Sequence, residues 1–415
     1  MTTTATALSL DADAIGRISH HLDEPNWLRA LRAAWWERAA ATPPPSGQEE
    51  EWRRTDLAGL PRDRRLLMDA PTLEVSIPPQ AVEAGVVLTD LRTAVRDHPD
   101  LVRRWLGQAD GPASHAHFWA LAQAAWTGGL LCHVPRGVTV DGTLVARAAM
   151  AHCDHTYLPI TLIVAEEGSS VSLLEEVASP DGDAGWFGGI VEIHADRAAT
   201  VRYANLQQLG DGMWNVGAQR VDVGQDASVT TLNAEVGSKV SKVGLDIQMT
   251  GKGGTSRLLG LLAAGDDQHI DINSVQDLRA SYATSDLLYL SALYDRARAA
   301  FYGMTKVRAE AKQTSSYQEC RNLLLSPDAG AEPIPVLEIE TNDILRCGHG
   351  ATAGAIDPIQ RFYAMSRGLS AAEAERMIVR GFFEQVVAQV HDETIRERVL
   401  TALARRIGLA EERAA

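Results

Sequence analysis

A repeat of paired short strands constrains the fold of this 415-residue chain more than any other feature. Four segments begin at Leu162, Val191, Val221 and Ile247, so the repeat spacing is 26 to 30 residues. Each segment joins an alternating strand to a second short strand through a turn containing glycine, alanine or aspartate. Because such a unit buries its apolar side only against its neighbours, the pattern predicts a solenoid. Alternation without intervening helices favours a parallel β-helix over a doubly wound sheet, and an antiparallel sandwich remains an alternative.

Helical patterns flank the repeat. Apolar residues recur at helical spacing from Trp27 to Trp35, and a proline-rich stretch that begins at Thr42 ends this pattern. After the repeat, Asp357 followed by Pro358 predicts the first turn of another helix. The chain therefore carries helices at both ends of a β-rich centre.

The C-terminal segment contains further helix boundaries. Residues 370–373 form a capping box, which predicts the start of a second helix. A final helix is expected from Asp392 to Ile407, with Gly408 as its stop. These patterns predict three parts: an N-terminal helical region of residues 1–125, a β-helix core of residues 126–350 and a C-terminal helical domain of residues 351–415.

Composition and charge argue against several functions. The chain carries 39 Lys and Arg residues against 54 Asp and Glu residues, a net charge of −15, which disfavours unaided nucleic-acid binding. Its four cysteines include no Cys-x-x-Cys pair, so neither a disulfide framework nor a four-thiolate metal site is indicated. No stretch approaches the roughly 20 apolar residues of a membrane span, and residues 1–5 lack the basic start of an export signal. We expect a cytoplasmic protein without membrane association.

A thiol and an imidazole lie two positions apart at Cys347 and His349, within a glycine-rich segment. In a strand, Leu345, Cys347 and His349 would share one face. Thiolate and imidazole suit iron and iron-sulfur clusters, but two ligands are too few for a closed metal site, so further ligands would come from another chain. On spacing alone, a buried cysteine beside a hydrogen-bonded histidine is the favoured interpretation.

A second polar cluster contains Asp267, His269 and Asp271, which would alternate on one face of a strand. Such a face suits a divalent metal, or acid-base chemistry of the kind found in polysaccharide-degrading β-helix enzymes. A hydrogen-bonded polar ladder on the outer surface is the favoured alternative, so no chemistry is assigned to these residues.

The segment Gly251–Thr255 resembles a phosphate-binding loop only superficially. A Walker loop requires Gly-x-x-x-x-Gly-Lys-Ser/Thr between a strand and a helix, whereas here Lys252 precedes Gly253 and a strand pattern follows. We therefore predict a solenoid turn and no nucleotide site in this chain.

Several motifs together resemble the SufB/SufD family of iron-sulfur cluster assembly scaffolds. They are the Glu-x-Trp-Arg-x-Thr-Asp segment at residues 50–56, the Asn322–Ser326 run, the segment Cys347–Asp357 and the segment Phe362–Leu369. Within the family, the form Cys-x-His-Gly-Ala-Thr-x-Gly is similar to the SufD branch. Gly348 stands where serine is common in this motif.

The resemblance implies a fold and a function. It implies a right-handed parallel β-helix between helical domains, and a non-catalytic subunit that pairs with a SufB-like scaffold and supports iron acquisition. His349 would be a ligand or positioning residue for a transient iron-sulfur cluster at that interface, with Cys347 in a supporting role. A SufC-like ABC ATPase, which would carry the ATPase activity, would dock on the C-terminal helices at a region that includes Phe362, Tyr363, Arg367 and Gly368.

Some alternatives remain open. A SufB-type main scaffold is the near alternative, and a carbohydrate-active β-helix enzyme using Asp267 and Asp271 is the distant one. Flavin binding by the assembled complex is not decided by the sequence. The choice between a homodimer in isolation and a heteromer is also open.

Overall fold

The computed structural model describes residues 7–8, 10–151, 153–182 and 184–412, so the stretch 1–5 discussed above lies outside the described residues. The protein is mainly β, with 41% strand against 26% helix, and forms a β-solenoid of about eight turns with helices at both ends. Successive strands within the solenoid pair in parallel. The predicted β-helix is therefore confirmed and the antiparallel sandwich is wrong, while the handedness stays a prediction.

Two sheets form the solenoid, and each rung contributes a strand to both. The strands of the first sheet are β1 (Ala7–Leu8), β2 (Leu66–Leu67), β4 (Val87–Asp90), β5 (Gly129–Val134), β7 (Thr156–Tyr157), β8 (Ile160–Ala165), β10 (Trp186–Phe187), β11 (Ile190–Ala195), β13 (Trp214–Val223), β15 (Val240–Met249), β17 (His269–Leu278), β19 (Arg298–Val307) and β21 (Gly330–Ile339). The strands of the second sheet are β3 (Leu73–Ser76), β6 (Thr139–Ala149), β9 (Ser170–Ala178), β12 (Thr200–Gln208), β14 (Ser228–Glu235), β16 (Thr255–Ala264), β18 (Thr284–Leu293), β20 (Thr314–Leu324) and β22 (Ile344–Ala355).

Helices cover the outer faces of both sheets. The helices are α1 (Ala12–His21), α2 (Asn26–Ala41), α3 (Pro79–Glu83), α4 (Leu91–Asp97), α5 (Pro99–Trp105), α6 (Ala116–Ala125), α7 (Pro358–Ser366), α8 (Ala371–Val387) and α9 (Glu393–Glu412), with short 3₁₀ turns at Leu57–Gly59 and Ala113–His115. The N-terminal helices pack on the first sheet, and α8 and α9 pack on the second. A third apolar core fills the solenoid between the two sheets. Stacked rungs thus bury both faces of most strands, as near-continuous apolar runs require.

One corner of the solenoid repeats a left-handed backbone position on most rungs. This position lies between the first-sheet strand and the second-sheet strand, where the chain must turn sharply. Only three of its residues are glycine, which adopts positive φ without a steric cost. The residues are Gly137, Gly168, Ala198, Asp226, Gly253, Tyr282 and Gln313. Gly253 belongs to the Gly251–Thr255 segment, so the predicted solenoid turn is confirmed.

The two ends of the solenoid differ. At the first end, β3 pairs antiparallel with β6 and β4 pairs antiparallel with β5, so N-terminal strands cover both sheet edges. At the other end, β21 and β22 are the last strands of their sheets, and no strand in the described part of the chain pairs with their outer edges. This second end leaves backbone donors and acceptors available.

Some boundaries differ from the sequence prediction. The last helix runs through Gly408 to Glu412, so the predicted stop is wrong; glycine inside a helix costs only about 1 kcal/mol. The capping box at Ser370 and Glu373 is confirmed. The three-part division stays a prediction, although β22 extends to Ala355. Among the described helices, none combines the length and apolar character needed to cross a membrane.

Candidate functional site

The open end of the solenoid carries Cys347 and His349 on its last strand. In the parallel ladder, Cys347 pairs with Ser316 and His349 pairs with Gln318. Both partners are at most 2% exposed and belong to the row of β20 that faces the solenoid interior. Cys347 is half-buried and packs against the interior core, whereas His349 is exposed. The thiol and the imidazole therefore share one row, as predicted, at the edge where the interior reaches solvent.

A β-bulge changes the predicted face of Leu345. Ile344 pairs with Thr314 and Arg346 pairs with Ser315, so Leu345 is an additional residue in the ladder. Ile344 and Cys347 both pack against the interior core, while Leu345 is 68% exposed. The prediction that Leu345 shares a face with Cys347 and His349 is therefore wrong.

One glycine of the motif lies close to an aromatic ring. A Cβ atom at Gly350 would lie 3.1 Å from the Tyr317 hydroxyl oxygen, a tight approach, whereas one at Gly348 would make an ordinary contact with the ring at 3.4 Å. The guanidinium of Arg346 lies 4.2 Å from the centre of the same ring, a cation–π contact. Within this chain, Gly350 thus leaves room for Tyr317 to pack along β22.

Electrostatics at the open end favour a protonated thiol in the free chain. Burial raises the pKa of the Cys347 thiol above its ordinary value. Binding of a metal requires the thiolate, so a bound iron would have to displace this proton. Within the part of the chain that the structure describes, no three His, Cys, Asp or Glu side chains are grouped to hold a metal ion. Any cluster bound at Cys347 and His349 would therefore need ligands from a second chain.

Helix α7, which follows β22, exposes an apolar surface. Ile359, Phe362 and Tyr363 are 75%, 72% and 59% exposed. Arg367 donates a hydrogen bond to the Tyr363 hydroxyl at 3.0 Å and lies over its ring. Gly368 follows with φ of +100°, the left-handed conformation that ends many helices. The residues predicted for partner docking thus lie together on and just after one exposed helix.

The acidic cluster does not form the predicted face. Asp267 lies in the turn before β17, is 67% exposed and pairs with Arg296 at 2.6 Å. Asp271 lies inside β17, is buried and pairs with Lys242 at 2.7 Å. Because the strand begins only at His269, the prediction that Asp267 alternates on it with Asp271 is wrong. The two carboxylates have separate partners, so nothing here supports a catalytic pair.

A buried network around Lys242 was not found from the sequence. The Lys242 ammonium donates to the backbone oxygen of Glu51 as well as to Asp271. The Thr55 hydroxyl donates to Asp271 at 2.6 Å, so its oxygen accepts the Nε2–H of His269 at 3.1 Å. These contacts fasten the segment of residues 50–56 to the first sheet. Lys242 and Asp271 are ladder partners 29 residues apart, so the rung spacing was the signal that could have revealed them.

A small cavity of about 50 Å³ lies between the two sheets, with both apolar and polar lining residues. Glu175 and Glu235 are among its lining residues, and burial raises the pKa of both carboxyl groups. Thr161 and Tyr203 donate hydrogen bonds to Glu175 at 2.7 and 2.6 Å. A volume of this size holds a few water molecules. The open end is therefore the better candidate for a site that receives a cluster.

The fold and the candidate site define a parallel β-solenoid whose unpaired end carries a thiol and an imidazole in one row. A family model described as SUF system FeS cluster assembly, SufBD core domain, matches residues 147–382, which is more than half of the chain. The chain belongs to this SufBD family of iron-sulfur cluster assembly.

Curated proteins of the same family are similar to this chain. A protein of Mycobacterium tuberculosis named iron-sulfur cluster assembly SufBD family protein is 29% identical over 284 residues, which cover 67% of this chain and 68% of the relative. A Staphylococcus epidermidis protein of the same family name is 29% identical over 303 residues, or 73% of this chain and 65% of the relative. A Mycobacterium leprae protein is 29% identical over 264 residues, or 62% and 66%.

Proposed function

We propose that this chain is a SufD-type subunit that pairs with a SufB-like scaffold, and that a transient iron-sulfur cluster is built where the two meet. One observation carries the proposal: Cys347 and His349 share the inward-facing row of β22, at a sheet edge without a partner strand in the described chain. His349 acts as a cluster ligand or positioning residue, and Cys347 supports it. The role includes assistance to iron acquisition.

The unpaired edges of β21 and β22 support strand addition as the mode of partner binding in this proposal. Edge strands present free N–H and C=O groups, and a second solenoid end satisfies them by strand addition. The same contact brings thiolates of the partner towards His349. This matters because iron-sulfur clusters are usually held by more ligands than this end supplies.

The exposed surface of α7 supports docking of a SufC-like ABC ATPase. A contiguous apolar surface on one helix is typical of a protein interface rather than of a solvated face. In this proposal the ATPase activity resides in the docked partner and this chain is a non-catalytic subunit. ATP-dependent pairing of two such partners would move the two scaffolds relative to each other and open their shared interface.

The SufD branch is favoured over a SufB-type main scaffold by the Gly350-Ala351-Thr352 form of the motif. A carbohydrate-active enzyme is disfavoured, because Asp267 and Asp271 have separate partners and environments. The proposed setting is the cytoplasm, where reducing conditions keep the Cys347 thiol free. Flavin binding and homodimer formation form no part of the proposal.

The test is the variant His349→Ala, co-expressed with SufB-like and SufC-like partners. We expect the three-subunit complex to co-purify as before and its iron and sulfide content after anaerobic reconstitution to fall about tenfold or more, because one ligand is lost. The matched control is His20→Ala, an exposed histidine on α1, which should leave the content unchanged. An intact complex with normal iron and sulfide in His349→Ala would reject the assignment.

A further inference from the structure

A surface cleft of about 600 Å³ lies between the segment of residues 50–56 and the last strands of the first sheet. Arg53 and Arg54 line it on one side, and His269 and Arg298 line it on the other, together with Glu332. His269 and Arg298 are ladder partners on neighbouring rungs, and Arg298 pairs in turn with Gly330. The parallel register thus stacks the residues of one wall.

The cleft is positively charged in an acidic protein. Three guanidinium groups and one carboxylate line it, and burial lowers the pKa of His269, which is therefore neutral at pH 7. The lining carries a formal charge of +2, from three arginines and one glutamate, and Glu50, which pairs with Arg53 and Arg54, reduces it to +1, whereas the chain carries −15. A concave positive surface of this kind attracts anions.

The arginines differ in how firmly they are held. Arg54 is 12% exposed and bonds to Glu50 at 2.8 Å and Glu332 at 3.2 Å. Arg53 pairs with Glu50 at 2.8 Å. The Arg298 side chain is exposed and makes no hydrogen bond or ion pair with any residue that the structure describes, although its backbone N–H donates to the Gln268 carbonyl. The guanidinium of Arg54 is therefore held by ion pairs, whereas the hydrogen-bond donors of Arg298 are available to a ligand.

Gly330 shapes the position of Arg298. A Cβ atom at Gly330 would collide with the Arg298 guanidinium, so the absence of a side chain lets this group lie against β21. The exposed side chain of Arg298 thus lies along the wall of the cleft.

We propose that this cleft binds a small ligand with two or more oxyanion groups, such as a diphosphate or a tricarboxylate. The planar fork of arginine matches phosphate and carboxylate oxygens in bidentate geometry. The volume is within the range of small-molecule sites. No Phe, Tyr or Trp side chain is among the described residues that line the cleft, so it offers no surface for stacking a nucleobase. The inference does not depend on the proposed cluster assembly role.

The test measures binding of inorganic pyrophosphate and of citrate, in separate titrations, to the full chain by calorimetry at constant ionic strength near 0.15 M. We expect saturable binding that Arg298→Gln weakens about tenfold or more. Gly330→Ala retains every charge but displaces Arg298, and it should also weaken binding. Arg103→Gln removes an exposed arginine on α5 and serves as the matched control, with unchanged affinity.

The titrations distinguish a specific oxyanion site from general attraction between charges. Binding of pyrophosphate alone, of citrate alone or of both, with sensitivity to Arg298→Gln and Gly330→Ala, supports the site and identifies the oxyanion class. If neither pyrophosphate nor citrate binds, the proposal is overturned. An equal loss of affinity in Arg298→Gln and Arg103→Gln also overturns it, because the binding would then reflect the overall charge of the protein rather than this cleft. Circular dichroism of each variant verifies that the fold is retained.

Discussion

Two polar regions of the solenoid differ in whether their side chains have hydrogen-bond and ion-pair partners within the described chain. The first, called the covered flank, contains Lys242 and Asp271, which lie beneath the segment of residues 50–56, and Thr55 of that segment. There the Lys242 and Asp271 side chains are at most 2% exposed and lie 2.7 Å apart. The second is the open end, where His349 is exposed, Cys347 is half-buried, and neither side chain has a hydrogen bond to any other described residue. Polar groups of the first region are saturated by the chain itself, whereas those of the second remain available.

This difference has an energetic basis. A buried charge is tolerated only when it is paired and hydrogen-bonded, because removal from water is costly. Burial lowers the pKa of Lys242, and Asp271 opposes that shift. The covered flank therefore serves stability and leaves no free group for chemistry. The side chains of Cys347 and His349 at the open end have no such pairing within the described chain.

The largest expected effect comes from Lys242→Met. This variant leaves the Asp271 carboxylate buried without its cation, which should lower the free energy of unfolding by about 3–5 kcal/mol. The measurement is urea denaturation followed by circular dichroism. A loss of this size would show that the buried ion pair of the covered flank stabilises the folded protein.

The matched control for Lys242→Met is Lys306→Met. Lys306 pairs with Glu338 at 2.6 Å, but the two side chains are 21% and 42% exposed. Loss of such an ion pair should cost about 1 kcal/mol or less. Equal losses in the two variants would contradict the contrast between buried and accessible ion pairs.

A smaller effect is expected from Thr55→Val. Valine keeps the shape but removes the hydroxyl that donates to Asp271 and accepts from His269. The buried Asp271 carboxylate and the half-buried His269 imidazole lose a partner, so the free energy of unfolding should fall by about 1–3 kcal/mol. Thermal or urea unfolding provides the measurement.

Thr352→Val is the corresponding change at the open end. Thr352 is exposed on β22, and valine preserves the preference for a strand, so the expected change is about 0.5 kcal/mol or less. If Thr352→Val destabilised the protein as much as Thr55→Val, the two regions would not differ in the way described.

The sequence patterns predicted the type of fold but only half of its rungs. Polar residues occur in the interior rows of both parts, for example Gln219 and Asn233 in the recognised rungs and Gln276 and Thr305 in the later ones. The turns differ more clearly. The corner position occupied by Gly253 is taken by Tyr282 and Gln313 on the following rungs. The later rungs therefore lacked the turn residues by which the first four segments were recognised.

The candidate site was predictable where it depended on strand alternation alone. Cys347 and His349 share a face because their register is continuous, but the bulge at Leu345 depends on the neighbouring strand β20. Thr55 contacts Asp271 across 216 positions of the chain, which no local pattern encodes. Local periodicity thus predicts a shared face, whereas bulges and long-range contacts require the folded register.

The last comparison uses two cysteines on neighbouring strands. Cys320 on β20 and Cys347 on β22 differ mainly in burial, and burial raises the pKa of Cys320 to about 12. At pH 8 only about 1 in 10⁴ of Cys320 side chains would then be thiolate, the form that reacts with alkylating agents. The pKa of Cys347 is also raised, but its side chain is only half-buried. We expect iodoacetamide to label Cys347 about tenfold faster than Cys320, a difference equivalent to about 1.4 kcal/mol.

Peptide mass spectrometry over time at pH 7 to 9 measures both labelling rates in one sample. Both should rise with pH, since thiolate increases as the pH approaches each pKa, and Cys347 should stay ahead throughout. Cys132 is an internal control, because burial also raises the pKa of its thiol to about 12 and it should label as slowly as Cys320. Equal labelling rates for Cys320 and Cys347 would mean that both thiols react only when the last rungs of the solenoid open locally. Cys347 would then be no more accessible to a partner than a residue of the closed interior.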